Sequence, residues 1–115
     1  MKIHELKLKP KYYDYILNGT KRIELRLFDE KRQLINIGDK IKFLKESNLE
    51  ESFIVSVIGL IRYDSFESLF NDFGMSILAD GSMTKEELLD VLCEFYTKEK
   101  QEEYGVLGIR IKLEK

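Results

Sequence analysis

The densest group of chemically useful side chains lies in one eight-residue segment, residues 19–26, which reads Gly-Thr-Lys-Arg-Ile-Glu-Leu-Arg. Glu24 and Arg26 are two residues apart, so on a β-strand both side chains project to the same face. Lys21 precedes them at a turn, where its long stem can reach the same side. A carboxylate, a guanidinium and an ammonium together suit a nucleobase edge beside a phosphate or a ribose. The same trio also suits a surface ion pair worth about 0–1 kcal/mol, so spacing alone leaves both interpretations open.

The residues before and after this segment predict the elements that would position it. Apolar and polar residues mostly alternate over residues 2–8, which predicts a strand. Pro10 is typical of a helix start, and the helix is expected to run to Asn18, with Gly19 ending it. A second strand is predicted over residues 22–28, with its three apolar residues on one face and the Glu24–Arg26 pair on the other.

The rest of the chain predicts three more strands and two more helices. Gly59 lies inside one of these strands and indicates a bulge or a bend. Asp64-x-x-Glu67 and Thr84-x-x-Glu87 both resemble capping boxes, and each is expected to open a helix. The predicted strands cover residues 41–44, 52–63 and 104–113, the helices cover 64–73 and 84–96, a charged turn covers 29–32, and a loop covers 74–83. The order β-α-β-β-β-α-α-β favours an α+β fold, with a mixed or antiparallel sheet curled into a small barrel and helices outside it.

Composition predicts one soluble, cytoplasmic domain over residues 1–115. The chain is 43% hydrophobic and 35% charged, and its net charge is −2. Residues 1–32 hold nine Lys/Arg against five Asp/Glu, so a local surface that faces phosphate is possible within an otherwise acidic protein. No apolar run is long enough for a membrane helix, and the N-terminus has no signal-peptide pattern.

The single cysteine and the single histidine predict no disulfide and no metal site. Cys93 lies inside the predicted helix 84–96, next to Leu92, and is expected to be a buried structural thiol rather than a nucleophile. With His4 it forms no recognisable metal-binding pattern. No cofactor is expected.

Five motifs spread along the chain resemble the ASCH domain family. They are Lys9-Pro10-x-Tyr12-Tyr13, Gly19-x-Lys21-x-x-Glu24-x-Arg26, Ile37-Gly38-Asp39-Lys40-Ile41-x-Phe43, Tyr63 before a short helix with Phe66, Leu69 and Phe70, and Tyr104-Gly105-Val106-Leu107-Gly108-Ile109. Together they span nearly the whole chain.

This resemblance implies a PUA-like fold, a small β-barrel with a helix beside a cleft. In the family the Gly-x-Lys-x-x-Glu-x-Arg segment lines that cleft, which places Lys21, Glu24 and Arg26 in a site for RNA or a modified nucleotide. Tyr63 and Tyr104 are further candidates, as stacking faces or hydroxyl donors for a base. Packing in the core or at its rim is the alternative role for both tyrosines.

One bacterial branch of the family resembles an amidohydrolase that removes acyl groups from N4-acylated cytidine. Its proposed machinery is a Lys and a Thr three residues apart, with a Glu from the loop before a later helix. Here Lys21 matches the Lys, but Glu24 stands at the Thr position and only Asp80 could replace the Glu. Lys21 and Glu24 could still act as an acid–base pair if burial moved one pKa toward neutrality. The sequence therefore leaves a binding module, an enzyme and a domain that binds a protein partner as alternatives.

Overall fold

Five strands form one curled sheet in the computed structural model, which describes residues 1–114. The strands are β1 (Ile3–Leu8), β2 (Ile23–Leu27), β3 (Lys40–Lys45), β4 (Asn48–Tyr63) and β5 (Val106–Leu113). Their order across the sheet is β1-β3-β4-β5-β2, so β1 and β2 are the two edges. The β1–β3 pair is parallel and the other pairs are antiparallel, which confirms the predicted mixed sheet in an α+β fold. The predicted bulge also occurs, as a register shift between Val57 and Gly59.

The helices are more numerous and shorter than the sequence predicted. They are α1 (Pro10–Leu17), α2 (Phe66–Phe70), α3 (Met75–Leu78), α4 (Lys85–Phe95) and α5 (Lys98–Tyr104), with a 3₁₀ turn at Arg32–Leu34. The predicted loop over residues 74–83 was wrong in part, because it contains α3. A helix of four residues makes one turn, which is too short to show helical periodicity in a sequence. Within residues 1–114, none of the helices has the length and apolar character needed to span a membrane.

One of the two predicted capping boxes is present. The Thr84 side chain accepts a hydrogen bond from the Glu87 backbone N–H, and the Glu87 carboxylate accepts one from the Thr84 backbone N–H. The box predicted at Asp64 is wrong, because the chain begins α2 one residue later. There the Ser65 hydroxyl accepts from the Ser68 backbone N–H. Serine is as good an N-cap as aspartate, and here Ser65 is the residue with the extended backbone that a cap requires.

Each face of the sheet carries its own apolar core. Ile23, Leu25 and Leu27 of β2 pack against α2, α3 and α4 in one core. Glu24 and Arg26 lie on the opposite face, where their cross-strand partners on β5 belong to the second core with β1 and β3. The predicted alternation is therefore present, but the polar face of β2 is not a solvent face: Glu24 is only 4% exposed.

Cys93 is exposed, so the prediction of a buried thiol was wrong. Leu88 and Leu92 are the buried residues of α4. Cys93 follows Leu92 by one position, which turns its side chain about 100° around the helix axis and away from the core.

The Gly38-Asp39 motif joins β1 to β3. The Asp39 carboxylate accepts hydrogen bonds from the backbone N–H groups of Lys2 and Asn36, and it lies 2.9 Å from Nε2 of His4. The hydrogen bond with His4, followed by the backbone bonds, lowers the pKa of Asp39 to about 2. These contacts hold β1 in place, and β1 forms one wall of the site described next.

Candidate functional site

A tight turn between α1 and β2 places Lys21 inside the protein. Gly19 has φ +86°, a left-handed conformation that glycine adopts without steric cost. Its backbone N–H donates to the Ile16 carbonyl, and two residues later the Lys21 N–H donates to the Tyr15 carbonyl. The turn therefore directs the chain back across the end of α1, and Lys21 ends only 3% exposed.

The Lys21 ammonium has three acceptors in the protein. Nζ donates to the Ile23 carbonyl at 2.7 Å and to the Leu78 carbonyl at 2.5 Å, and it lies 3.6 Å from Oε1 of Glu24. An ammonium has three hydrogens, so these partners match its full donor capacity. Lys21 thus joins the start of β2 to the end of α3 and holds one oxygen of Glu24.

Burial has a strong effect on the charge of this lysine. Desolvation lowers the pKa of Lys21 to about 8, and the neighbouring Arg26 cation acts in the same direction. The Glu24 carboxylate opposes the change but does not cancel it. At neutral pH Lys21 is therefore still mainly an ammonium ion, but one that loses its proton far more easily than an exposed lysine.

Arg26 connects the Glu24 carboxylate to the other edge of the sheet. Its Nε donates to Oε2 of Glu24 at 2.8 Å, and its Nη2 donates to the Lys7 carbonyl of β1 at 2.7 Å. Burial is the largest single effect and would lower the pKa of Arg26, but the Glu24 carboxylate and the Tyr96 phenol together outweigh it, so the pKa is raised and the side chain remains a cation. Arg26 also interacts with the Tyr96 hydroxyl. Within residues 1–114 its five N–H groups still outnumber these acceptors, and each Glu24 oxygen has an unused acceptor site.

These side chains form the floor of a cavity of about 350 Å³, which we call the cleft. It lies between β1, the start of α1, β2 and α4. Two tyrosines, Tyr12 and Tyr96, supply aromatic surface, and burial raises the pKa of both phenols, so they are neutral at pH 7. The lining residues are Lys7, Leu8, Lys9, Tyr12, Lys21, Glu24, Leu25, Arg26, Glu46, Leu88, Val91, Leu92, Phe95 and Tyr96. The cleft thus combines a small charged floor with mostly apolar and aromatic walls.

The structure brings three of the five predicted site residues together. Lys21, Glu24 and Arg26 all line the cleft. Tyr63 and Tyr104 instead line a second, more polar depression of about 530 Å³, which shares no lining residue with the cleft. The Tyr63 hydroxyl donates a hydrogen bond to the Asp72 carboxylate, which raises the pKa of that phenol. A ligand-binding role for these two tyrosines stays a prediction.

Sequence reasoning missed the aromatic and apolar walls. Tyr12 belongs to the Lys9-Pro10-x-Tyr12 motif, which could have indicated that it lies at the site. Nothing in the sequence indicates that α4 and Tyr96 form a wall beside β2. Asp80, the possible substitute for the amidohydrolase Glu, does not line the cleft. The Ser82 hydroxyl, followed by the Ser82 backbone N–H at 2.7 Å, lowers the pKa of the Asp80 carboxyl.

Comparisons with known proteins agree with this fold. Residues 6–115 match the model of the ASCH domain. No functionally curated protein matches the chain. The chain is 35% identical to the crystal structure of hypothetical protein PH0355, with 99% of this chain and 100% of that chain covered and a TM-score of 0.84.

Two further solved structures extend the comparison. Protein PF0455 from Pyrococcus furiosus, solved by NMR, is 34% identical over 98% of this chain and 97% of its own, with a TM-score of 0.77. ASCH from Zymomonas mobilis is 11% identical over 96% of this chain and 66% of its own, with a TM-score of 0.68, and so shares the fold alone. With the family model matched over almost the whole chain, the protein belongs to the ASCH domain family.

Proposed function

We propose that this protein binds RNA or a modified nucleotide, with one unpaired base held in the cleft. The observation that carries the proposal is the buried Glu24–Arg26 pair at the floor of a cavity with aromatic walls. Ligand sites commonly combine mostly apolar walls with a few polar groups that set orientation, and the cleft volume falls within the usual range of about 300–1,000 Å³.

The hydrogen bonds still available at the floor match the edge of a base. Glu24 can accept from a ring or amino N–H, and the free hydrogens of Arg26 can donate to a ring nitrogen or a carbonyl. Every nucleobase presents a donor and an acceptor side by side on its Watson–Crick edge. Lys21, whose hydrogens already have acceptors, would hold Glu24 rather than contact the ligand.

The walls and the rim suit the rest of a nucleotide. Tyr12 or Tyr96 can stack on a base, an interaction worth about 1–3 kcal/mol per base. Lys7 and Lys9 are exposed and line the cleft, where they can attract a phosphate. The Lys9–Glu46 contact, at 3.8 Å between half-exposed side chains, is too weak to neutralise this rim.

Arg26→Lys is expected to weaken binding of nucleosides and short single-stranded RNA at least tenfold. The lysine keeps a positive charge beside Glu24, but it lacks the planar fork that contacts a base edge and the Lys7 carbonyl together. One lost charge-assisted hydrogen bond, about 1.5–3 kcal/mol, accounts for such a change. Titration calorimetry and fluorescence anisotropy would measure it, with circular dichroism to confirm folding.

Arg62→Lys is the matched control, because Arg62 lines the second depression and stacks on Phe28 at 4.0 Å. It should bind like the unmodified protein. Equal affinity in both variants, or no binding of any nucleoside or RNA by the unmodified protein, would contradict the proposal.

A second candidate function, hydrolysis of an N4-acylated cytidine, is favoured by the pKa of Lys21. Glu24 would take a proton from a water whose oxygen attacks the acyl carbon. The bond between that carbon and N4 would then break as the Lys21 ammonium protonates N4, releasing a carboxylic acid and cytidine. We rank it second because Lys21 already has three acceptors and Asp80 lies outside the cleft lining.

Chromatography of the same binding mixtures separates the two candidates. Conversion of N4-acetylcytidine to cytidine, lost in Lys21→Met, would establish hydrolysis. Binding without conversion would leave recognition as the function.

A further inference from the structure

On β1, β3 and β5, the side of the sheet turned away from the core of Leu6, Ile41 and Ile109 carries a group of positive charges that is separate from the cleft floor. Alternation along β1, β3 and β5 turns the apolar residues inward and leaves lysine and arginine outside. The register aligns Lys40 of β3 with Ser56 of β4, and Ser56 with Lys112 of β5. We call this the basic face; its cations are Lys7, Lys40, Lys42, Arg110 and Lys112, and its acids are Glu5 and Glu114.

Most of this positive charge is not neutralised. Lys40 forms an ion pair with Glu114, which also accepts a hydrogen bond from the Ser56 hydroxyl. Lys42, Arg110 and Lys112 make no ion pair with any residue of the described chain, 1–114. Five cations against two acids leave an excess of three positive charges, in a protein whose net charge is −2.

A glycine lets one of these cations lie across the neighbouring strand. Gly59 of β4 stands opposite Arg110 of β5 at the bulge. A Cβ at Gly59 would lie only 3.0 Å from Cδ of Arg110, so a larger residue would displace the arginine stem. The guanidinium is therefore carried over β4, toward the middle of the basic face.

The basic face adjoins the cleft through Lys7. This residue projects from the edge strand β1 and also lines the cleft. From β1 to β5 the face crosses three strand spacings, about 14 Å. A nucleic-acid strand whose base occupies the cleft could therefore continue directly onto this face.

We infer that the basic face binds the backbone phosphates of single-stranded RNA next to the base held in the cleft. The inference rests on the proposed function. Unpaired cations on a sheet attract a polyanion without reading its sequence, whereas the cleft reads one base. The exposed Ile3 pairs with Lys40, and the exposed Ile58 precedes Gly59 at the bulge, so both apolar side chains are available to contact ribose or base surfaces.

The test compares a mononucleotide with a ten-residue single-stranded RNA. In Lys42→Gln/Arg110→Gln/Lys112→Gln, we expect RNA affinity at 0.1 M salt to fall roughly 10- to 100-fold and the salt dependence to weaken by about 2 in log–log slope. Mononucleotide affinity should not change, because these three residues do not line the cleft. Lys85→Gln/Lys98→Gln/Lys100→Gln, on α4 and α5, makes the same change in net charge and should bind RNA normally.

The outcomes separate this inference from the proposed function. Normal RNA binding by the first triple variant, or an equal loss in the control variant, would overturn the inference and leave the cleft proposal in place. Binding of phosphatidylserine vesicles that depends on the three residues, with RNA affinity unchanged, would assign the face to a membrane and also overturn it. If the unmodified protein binds neither the mononucleotide nor the RNA, both proposals fail.

Discussion

Replacing Glu24 with alanine is expected to lower the free energy of unfolding by about 3–5 kcal/mol, the usual cost of removing one partner from a buried ion pair. Its carboxylate lies between the Lys21 ammonium and the Arg26 guanidinium, and all three side chains are largely buried. Without it, Arg26 keeps a buried charge that it cannot lose by deprotonation. A domain of this size has a total stability of about 5–15 kcal/mol, so the loss would be a large part of it.

Urea denaturation followed by circular dichroism would measure this change. Glu46→Ala is the matched control. Glu46 also lines the cleft, but its side chain is half-exposed and its ion pair with Lys9 is long at 3.8 Å and therefore weak. It should cost no more than about 1 kcal/mol. Glu24→Gln, which keeps the shape and one accepting oxygen, should fall between the two. If Glu24→Ala lowers the free energy of unfolding by less than about 1 kcal/mol, the carboxylate does not offset the cost of burying the Lys21 and Arg26 charges.

The second large effect is the pH dependence of the Lys21 contribution to stability, which is expected to rise by about 1.5 kcal/mol between pH 8 and pH 9.5. The pKa of Lys21 is about 8 in the folded protein and 10.5 without burial. Between these values the unfolded chain binds more protons than the folded one, so the free energy of unfolding increases with pH. Below pH 8 the full cost of burying the charge is present in the folded state.

Lys21→Met should remove this rise, because methionine fills similar space and has no proton to lose. Lys85→Met, at an exposed position on α4, should keep it. Denaturation would be measured at pH 7.5, 8.5 and 9.5. At pH 9.5 about a quarter of each tyrosine in the unfolded chain is ionised, which lowers stability, since burial raises the pKa of tyrosines such as Tyr12 and Tyr96 in the folded protein. Lys21→Met has the same tyrosines, so the difference between the two proteins isolates the contribution of Lys21. A pH dependence that is unchanged in Lys21→Met would contradict the lowered pKa.

These two predictions bear directly on the function of the cleft. If both hold, Lys21 is a positioning residue that fixes Glu24 and the end of α3, and Glu24 and Arg26 remain the groups that we propose for ligand contact. A binding role for Arg26 and a structural role for Lys21 can then be separated, since Arg26→Lys should change affinity while Lys21→Met changes the pH dependence of stability.

Local sequence patterns determined much of the fold. The two-residue alternation in β2 placed Glu24 and Arg26 on one face, Gly59 indicated the bulge, and Thr84 with Glu87 marked the start of α4. These signals work because side-chain direction and caps depend on residues only a few positions apart. Such patterns do not choose between two neighbouring residues that can both cap a helix. Asp64 and Ser65 could each cap α2, and the sequence did not indicate that Ser65 is the cap.

The resemblance to the ASCH motif, added to the spacing of Lys21, Glu24 and Arg26, predicted the centre of the candidate site; the spacing alone left a surface ion pair open. Tertiary structure decided the environment of that centre. Lys21 is buried because the Leu78 carbonyl, 57 residues away, lies over it, and Arg26 reaches Lys7 on the opposite edge of the sheet.

The basic face likewise joins strands from both ends of the chain, and the separation of Tyr63 and Tyr104 from the cleft follows from where β4 ends and β5 begins. Burial, pKa and neighbouring charge depend on contacts between residues far apart in sequence, and no pattern of a few neighbouring residues contains them.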